Sequence, residues 1–113
     1  MDGAVAGFAA AGPSRDEDAS PRDGELYAIY VDPPCWRLGV GRALEAAALA
    51  GMRAAGFSSA TLWVIAANPA ARAFYEAAGW AFDGGDTTIE LGDDEVPIVR
   101  YRRSVPGTST RAV

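Results

Sequence analysis

The sequence contains no histidine, no lysine and a single cysteine among its 113 residues. Histidine is the commonest metal ligand and the usual general base near neutral pH, so neither role can be filled in the usual way. Cys35 has no second cysteine to pair with, which excludes an internal disulfide and a zinc site built from cysteine and histidine. These absences predict a chain that carries no metal and works in a reducing cytoplasm.

Basic charge is also scarce. Ten arginines are outnumbered by 15 acidic residues, which gives a net charge of -5. An acidic chain without a basic block is a poor partner for nucleic acid or for an anionic membrane surface. No stretch approaches the roughly 20 apolar residues that cross a bilayer, and Asp2 stands where a secretory signal needs a basic residue. We therefore expect no nucleic-acid partner and no membrane partner.

Half of the residues are apolar, which is enough for one domain with a hydrophobic core. Hydrophobic patterns and turn residues predict a strand at 4–11, a polar loop, a strand at 25–31, a helix at 41–55, a strand at 60–66, a helix from Asn68 to Gly79, and two strands within 80–103. The first two strands form a hairpin. The polar tail 104–113 is predicted to be disordered.

The helix at 41–55 is predicted to bury a face of mostly small residues. On a helical wheel this face contains Val40, Leu44, Ala47, Ala48, Gly51 and Ala55. Glu45 and Leu49 fall among the charged positions. Small residues on the buried face would let the helix approach a sheet closely.

Two glycines, Gly39 and Gly41, lie between a strand stopped by Asp-Pro-Pro (32–34) and this Ala-rich helix. A glycine-rich turn that leads into a helix points backbone N–H groups and the positive end of the helix dipole at one spot, which suits a phosphate. The G-x-G pattern alone is weak, because a glycine before a helix more often serves only as a turn. A dinucleotide-binding fold is excluded, since it needs a third glycine at Leu44 and an acid after the next strand, where 66–68 read Ala-Ala-Asn.

Asn68 and Tyr75 are seven residues apart on the second helix, which places them two turns apart on the same face. Asn68 stands directly before Pro69 and is also a good helix N-cap. Tyr75 also fits a core aromatic residue with a solvated hydroxyl. Each residue thus has a structural and a functional interpretation.

Taken together, these motifs resemble the GNAT acetyltransferase family. The resemblance rests on the strand ending "YVDP", the segment "WRLGVGRAL", a second buried strand, and N-x6-Y closed by Gly-Trp, and it covers roughly residues 3–103. It implies an α/β fold with a mixed sheet and a βαβα cofactor-binding core, in a domain over residues 1–103. The usual first strand and first two helices of the family, which wall the acceptor site, are missing from this N-terminally shortened pattern. Because their loss would expose apolar surface, we expect a homodimer or an aggregation-prone monomer.

The resemblance also implies a set of residues that bind acetyl-CoA. In the family, the pattern Q/R-x-x-G-x-G/A binds the pyrophosphate through backbone N–H groups; here it falls on Trp36, Arg37, Leu38, Gly39, Val40 and Gly41. Trp36 replaces the usual Gln or Arg. Arg42 either adds positive charge toward the phosphates or is a solvated helix residue. The backbone of Ile29, Tyr30 and Val31 is expected to pair with the pantetheine arm, and Asn68 to hydrogen-bond to it.

The implied reaction is transfer of an acetyl group from acetyl-CoA to an amine of a small molecule or a protein. Tyr75 matches the tyrosine that protonates the departing CoA thiolate. Without histidine, the base for the amine would be a carboxylate acting through water, and Glu25 is the best candidate. Glu25 also fits a solvated charge at a strand end. The alternative function is a non-catalytic module that binds acyl-CoA or serves in an assembly.

Overall fold

The computed structural model describes residues 7–35 and 38–105. Its elements are β1 (Gly7–Pro13), β2 (Asp23–Val31), a 3-10 turn (Pro33–Cys35), α1 (Val40–Ala54), β3 (Ser59–Ile65), α2 (Pro69–Ala77), β4 (Ala81–Leu91) and β5 (Asp94–Ser104). The α/β class and the β-α-β-α order of the predicted core are confirmed, with bounds that differ by at most two residues. Residues 4–6 of the predicted first strand lie outside the described residues. In the described part of the chain, no helix is long and apolar enough to cross a bilayer.

The described part of the chain divides into two compact units, one within residues 7–60 with 104–105 and the other formed by residues 61–103. In the first unit β1 and β2 form an antiparallel hairpin with the register Gly7↔Val31 to Pro13↔Gly24, and α1 packs against both strands. Glycine is required at position 7, because a Cβ there would collide with the carbonyl oxygen of Tyr30. The hairpin prediction is confirmed.

The predicted buried face of α1 is wrong in part. The buried residues of this helix are Glu45, Leu49 and Met52, whereas Ala47, Gly51 and Ala55 are exposed. Leu49 and Met52 remove more apolar area from water than alanine or glycine does, so the larger side chains decide which face turns inward. Positions 45, 49 and 52 follow the i, i+4, i+7 spacing of a single helix face, and Glu45 is buried because it lies on that face.

In the second unit the strands are hydrogen-bonded in the order β3-β5-β4. β4 and β5 are antiparallel and are joined by the turn Gly92-Asp93, in which Gly92 has a φ of 64°. The core of the unit contains Thr61, Leu62, Val64, Trp80, Ile98 and Tyr101.

The predicted C-terminal tail begins too early. Ser104 still belongs to β5, and Val105 is 1% exposed. The backbone N–H of Val105 donates to the carbonyl oxygen of Ser58 over 3.0 Å. Ordered structure therefore extends through Val105, and the rest of the predicted tail, 106–113, lies outside the described residues.

Candidate functional site

The backbone conformation explains why the first residue of the turn before α1 is a glycine. Gly39 is the N-cap of α1 and has φ 81° and ψ 4°, in the left-handed region that disfavours residues with a Cβ. Among the residues that the structure describes, no atom lies within 4 Å of a Cβ built on Gly39. Glycine is therefore required by the conformation of the chain and not by contact with a described neighbour.

The first turn of α1 presents backbone donors without a capping side chain. The Ala43 N–H is the first helical donor and binds the Gly39 carbonyl over 3.1 Å, so the N–H groups of residues 40–42 have no acceptor within the helix. The N-cap makes no side-chain hydrogen bond, and the first turn contains no acidic residue. Arg42 is exposed in the same turn. These donors, the helix dipole and a nearby guanidinium together suit an anionic group.

Three residues of the predicted phosphate loop precede Gly39 in the chain. Leu38 is 65% exposed, and its N–H donates to the Cys35 carbonyl over 3.3 Å. Trp36 and Arg37 lie outside the described residues, so their predicted roles stay predictions.

The C-terminal part of β2 is the predicted partner of the pantetheine arm. Ile29, Tyr30 and Val31 pair with Ala9, Phe8 and Gly7 of β1, which occupies one edge of the strand. Upstream, the register shifts between Ala10 and Ala11, whose partners are Ala28 and Leu26, so Tyr27 is an extra residue in β2. Such bulges bend a strand and re-aim its side chains, and they are frequent next to active sites.

Glu25 lies on the other side of this bulge and is buried, with 6% exposure. Its Oε1 accepts a hydrogen bond from the backbone N–H of Arg15 over 3.0 Å. The interpretation of Glu25 as a solvated strand-end charge is therefore wrong. The carboxylate holds the loop between β1 and β2, and whether it also acts as a base stays a prediction.

Asn68 is the N-cap of α2, as its position before Pro69 predicts. Its Oδ1 accepts a hydrogen bond from the N–H of Ala71 over 3.0 Å. This cap uses only the acceptor of the side-chain amide. The residue is exposed, and its NH₂ group can donate to a ligand while the cap stays intact.

Tyr75 lies on the same helix and is half-buried. Its ring makes edge contacts with Phe74 and Trp80, with centroids 5.1 Å and 6.1 Å apart. Its carbonyl oxygen accepts hydrogen bonds of 3.0 Å from the N–H groups of Ala78 and Trp80. The ring and the backbone of Tyr75 are thus fixed, although the residue is not part of the fully buried core.

Residues 1–80 match the family model of the acetyltransferase (GNAT) family. The chain belongs to the GNAT acetyltransferase family. Among curated proteins, the uncharacterized N-acetyltransferase YuaI of Bacillus subtilis is 48% identical over 75 residues, which cover 66% of this chain and 42% of YuaI. A mycothiol acetyltransferase of Salinispora arenicola is 43% identical over 67 residues, which cover 58% of this chain and 22% of that protein.

Solved structures show the same fold. Ard1 from Thermoplasma volcanium matches 91% of this chain and 65% of its own, with a TM-score of 0.77 and 26% identity. Against the curated relatives the coverage is smaller: the segments of this chain that match YuaI and the mycothiol acetyltransferase span less than half of either protein. The GNAT-like α/β fold predicted from the motifs is confirmed.

This GNAT chain also contains a polar network that the motifs did not reveal. The Tyr101 hydroxyl on β5 donates to Glu76 Oε2 over 2.6 Å and accepts from Arg72 Nε over 3.0 Å. Arg72 Nη1 donates to the carbonyl oxygen of Ala66 over 3.1 Å. The hydrogen bond to Tyr101 raises the pKa of the Arg72 guanidinium, although its desolvation opposes the shift. Glu76 and Tyr101 are 25 residues apart, so no local sequence pattern links them.

A second cluster lies at the irregular stretch of β4. Asp83 accepts hydrogen bonds from Arg100 Nε over 2.8 Å, from Arg102 Nε over 3.3 Å and from the Gly85 N–H over 2.9 Å. Burial alone would raise the pKa of Asp83, but the hydrogen bonds from Gly85 and the two arginines outweigh it and lower the pKa. The cluster stabilises the register shift between Phe82 and Asp86.

Proposed function

We propose that this chain provides the acetyl-CoA-binding part of an N-acetyltransferase that moves an acetyl group to an amine of a small molecule or a protein. The observation that carries the proposal is the N-terminus of α1. It combines a left-handed Gly39, the absence of an acidic residue from the first turn, and no side-chain cap. Membership of the GNAT family supports acetyl-CoA as the anionic ligand for this turn.

In the proposed complex the pyrophosphate of acetyl-CoA accepts hydrogen bonds from backbone N–H groups of the glycine turn. Charge-assisted bonds of this kind are each worth about 1.5–3 kcal/mol, so two or three of them account for much of a micromolar affinity. Arg42 adds a positive charge within the same helical turn. The residues assigned to this loop are Trp36, Arg37, Leu38, Gly39, Val40 and Gly41.

The pantetheine arm carries two amides, which need donors and acceptors along an extended path. We assign them to the backbone of Ile29, Tyr30 and Val31 and to the side-chain NH₂ of Asn68. The cap of α2 supports this assignment. The Oδ1 of Asn68 accepts the hydrogen bond from Ala71, and the NH₂ group of the same side chain can donate to the cofactor.

In the proposed reaction the amine nitrogen attacks the thioester carbonyl carbon, and collapse of the tetrahedral adduct breaks the carbon–sulfur bond. The departing thiolate receives the hydroxyl proton of Tyr75. The proton lost by the amine passes through a water molecule to the carboxylate of Glu25. A positioned proton donor of this kind contributes about 10²–10⁴-fold to the rate.

Titration calorimetry with acetyl-CoA and with free CoA tests the binding step, and release of the CoA thiol in the presence of a panel of primary amines tests transfer. We expect saturable binding of both ligands and amine-dependent thiol release. No binding of either ligand at millimolar concentration would overturn the proposal.

The chain spans 42% of YuaI, and this coverage makes binding without catalysis the second candidate. A non-catalytic acyl-CoA-binding module would bind both ligands but would release no thiol with any amine. The same two measurements therefore separate the two functions.

A further inference from the structure

Helix α2 carries both Asn68 and Tyr75, yet it has no fully buried side chain of its own. Phe74 and Tyr75 are half-buried, so packing restrains the helix in part, and polar contacts add to this restraint. Several of these are visible: the Arg103 guanidinium donates to the carbonyl oxygen of Ala78 over 2.6 Å, and the Tyr101 hydroxyl bonds to Arg72 and Glu76.

We infer that Tyr101 is a positioning residue for Tyr75, acting through Arg72 and Glu76. The inference rests on the proposed function, in which Tyr75 is the proton donor. Arg72 and Glu76 are one turn apart on α2 and both bond to the same hydroxyl, so a single atom on β5 fixes that face of the helix. Tyr75 directly precedes Glu76, and its side chain leaves the helix about 100° away from that face. Holding one face in place therefore sets the direction of the Tyr75 hydroxyl.

The same network reaches the loop that precedes α2. Arg72 Nη1 binds the carbonyl oxygen of Ala66, and the N–H of Ala66 donates to the Pro97 carbonyl on β5 over 3.0 Å. The loop that carries Asn68 and the turn that carries Tyr75 are thus both anchored to one strand.

The hydroxyl of Tyr101 is what distinguishes this role from simple packing. The side chain is completely buried, and both its donor and its acceptor are used. A residue needed only to fill the core could be phenylalanine. The hydroxyl adds a direction and a distance, and displacement of a reacting group by about 1 Å can cost about 10²-fold in rate.

The test is a double-mutant cycle with Tyr101→Phe and Tyr75→Phe, measured as kcat for thiol release and as Kd for acetyl-CoA. We expect Tyr101→Phe to lower kcat about 10-fold and to change Kd by less than about 3-fold. In the Tyr75→Phe background the same substitution should lower kcat by less than about 2-fold, because the group being positioned is already absent. Thr88→Val is the control: it removes an exposed hydroxyl from β4 and should leave kcat unchanged.

Glu76 provides a second pair of variants in case Tyr101→Phe folds poorly. Glu76→Gln retains an oxygen acceptor for the Tyr101 hydroxyl and should keep kcat within about 2-fold, whereas Glu76→Ala should reproduce the loss. Equal losses in kcat on both backgrounds, equal effects of the two Glu76 variants, or an unchanged kcat in Tyr101→Phe would overturn the positioning role alone. If the parent chain released no thiol, or if Tyr75→Phe had no effect on kcat, the proposed reaction or the proposed role of Tyr75 would fail, and the positioning role with it.

Discussion

Asp83 gives the sharpest test of how the second unit is stabilised. We expect Asp83→Ala to destabilise the chain by about 3 kcal/mol at pH 7, because it removes the carboxylate shared by Arg100, Arg102 and the Gly85 N–H. Removal of one partner from a buried ion pair costs about 3–5 kcal/mol. The lower end applies here, since the side chains of Asp83 and Arg100 are 15% and 11% exposed and that of Arg102 is 34% exposed.

The pH dependence of this effect has a definite sign. The pKa of Asp83 is lowered in the folded chain. The carboxylate therefore contributes its full amount to the free energy of unfolding at pH values above the pKa of an unfolded aspartate, about 3.9. The contribution is lost as the pH falls through the lower, folded pKa, because the unfolded state then binds the proton more readily. The stability difference between parent and Asp83→Ala should therefore be constant from pH 7 to about pH 5 and should narrow below about pH 4.

Urea unfolding of the parent and of Asp83→Ala at a series of pH values measures this difference in stability. At pH 7 the melting temperature of Asp83→Ala should lie about 12 °C or more below that of the parent. Asp86→Ala, which removes an exposed carboxylate from the same strand, is the control and should change stability by less than about 0.5 kcal/mol. A difference below 0.5 kcal/mol for Asp83→Ala at pH 7, or one that stays the same at pH 3, would refute the reasoning.

Three further substitutions separate folding from function. Gly39→Ala should cost about 1–2 kcal/mol in urea unfolding, because alanine resists a φ of 81° even where its Cβ meets no atom of the described residues; an unchanged stability would mean that the turn adopts another conformation. Asn68→Asp keeps the cap acceptor for Ala71 and should preserve the melting temperature while raising the Kd for acetyl-CoA, and an unchanged Kd would remove Asn68 from the binding site. Tyr75→Phe should lower kcat by about 10²-fold with little change in melting temperature, whereas a loss of stability at unchanged kcat would make Tyr75 a structural residue.

Local signals in the sequence were sufficient for the order of the elements. Proline and glycine mark the ends of β2, α1 and α2, and the cap at Asn68 depends only on residues within one helical turn. The left-handed Gly39 was also predictable as a turn. These features depend on contacts between residues close in the chain, and a single sequence carries that information directly.

Contacts between distant residues could not be predicted in the same way. The wheel of α1 could not show that Leu49 and Met52 decide the buried face, because that outcome depends on which surface of the hairpin the helix meets. The burial of Glu25 depends on a loop that returns to place the Arg15 N–H against it. The link from Tyr101 to Glu76 joins elements that are far apart in the sequence, and neither residue type indicates its partner.

The central claim is that the glycine turn at the start of α1 binds the phosphates of acetyl-CoA. Titration calorimetry on the parent chain and on Gly41→Val tests it most directly. Valine has a higher helix propensity than glycine, so folding should be preserved, whereas its branched side chain would occupy the space beside the N–H groups. We predict saturable acetyl-CoA binding by the parent and a Kd about 10–100-fold higher for the variant, the equivalent of one lost charge-assisted hydrogen bond. Equal affinity of the two folded proteins would contradict phosphate binding at this turn.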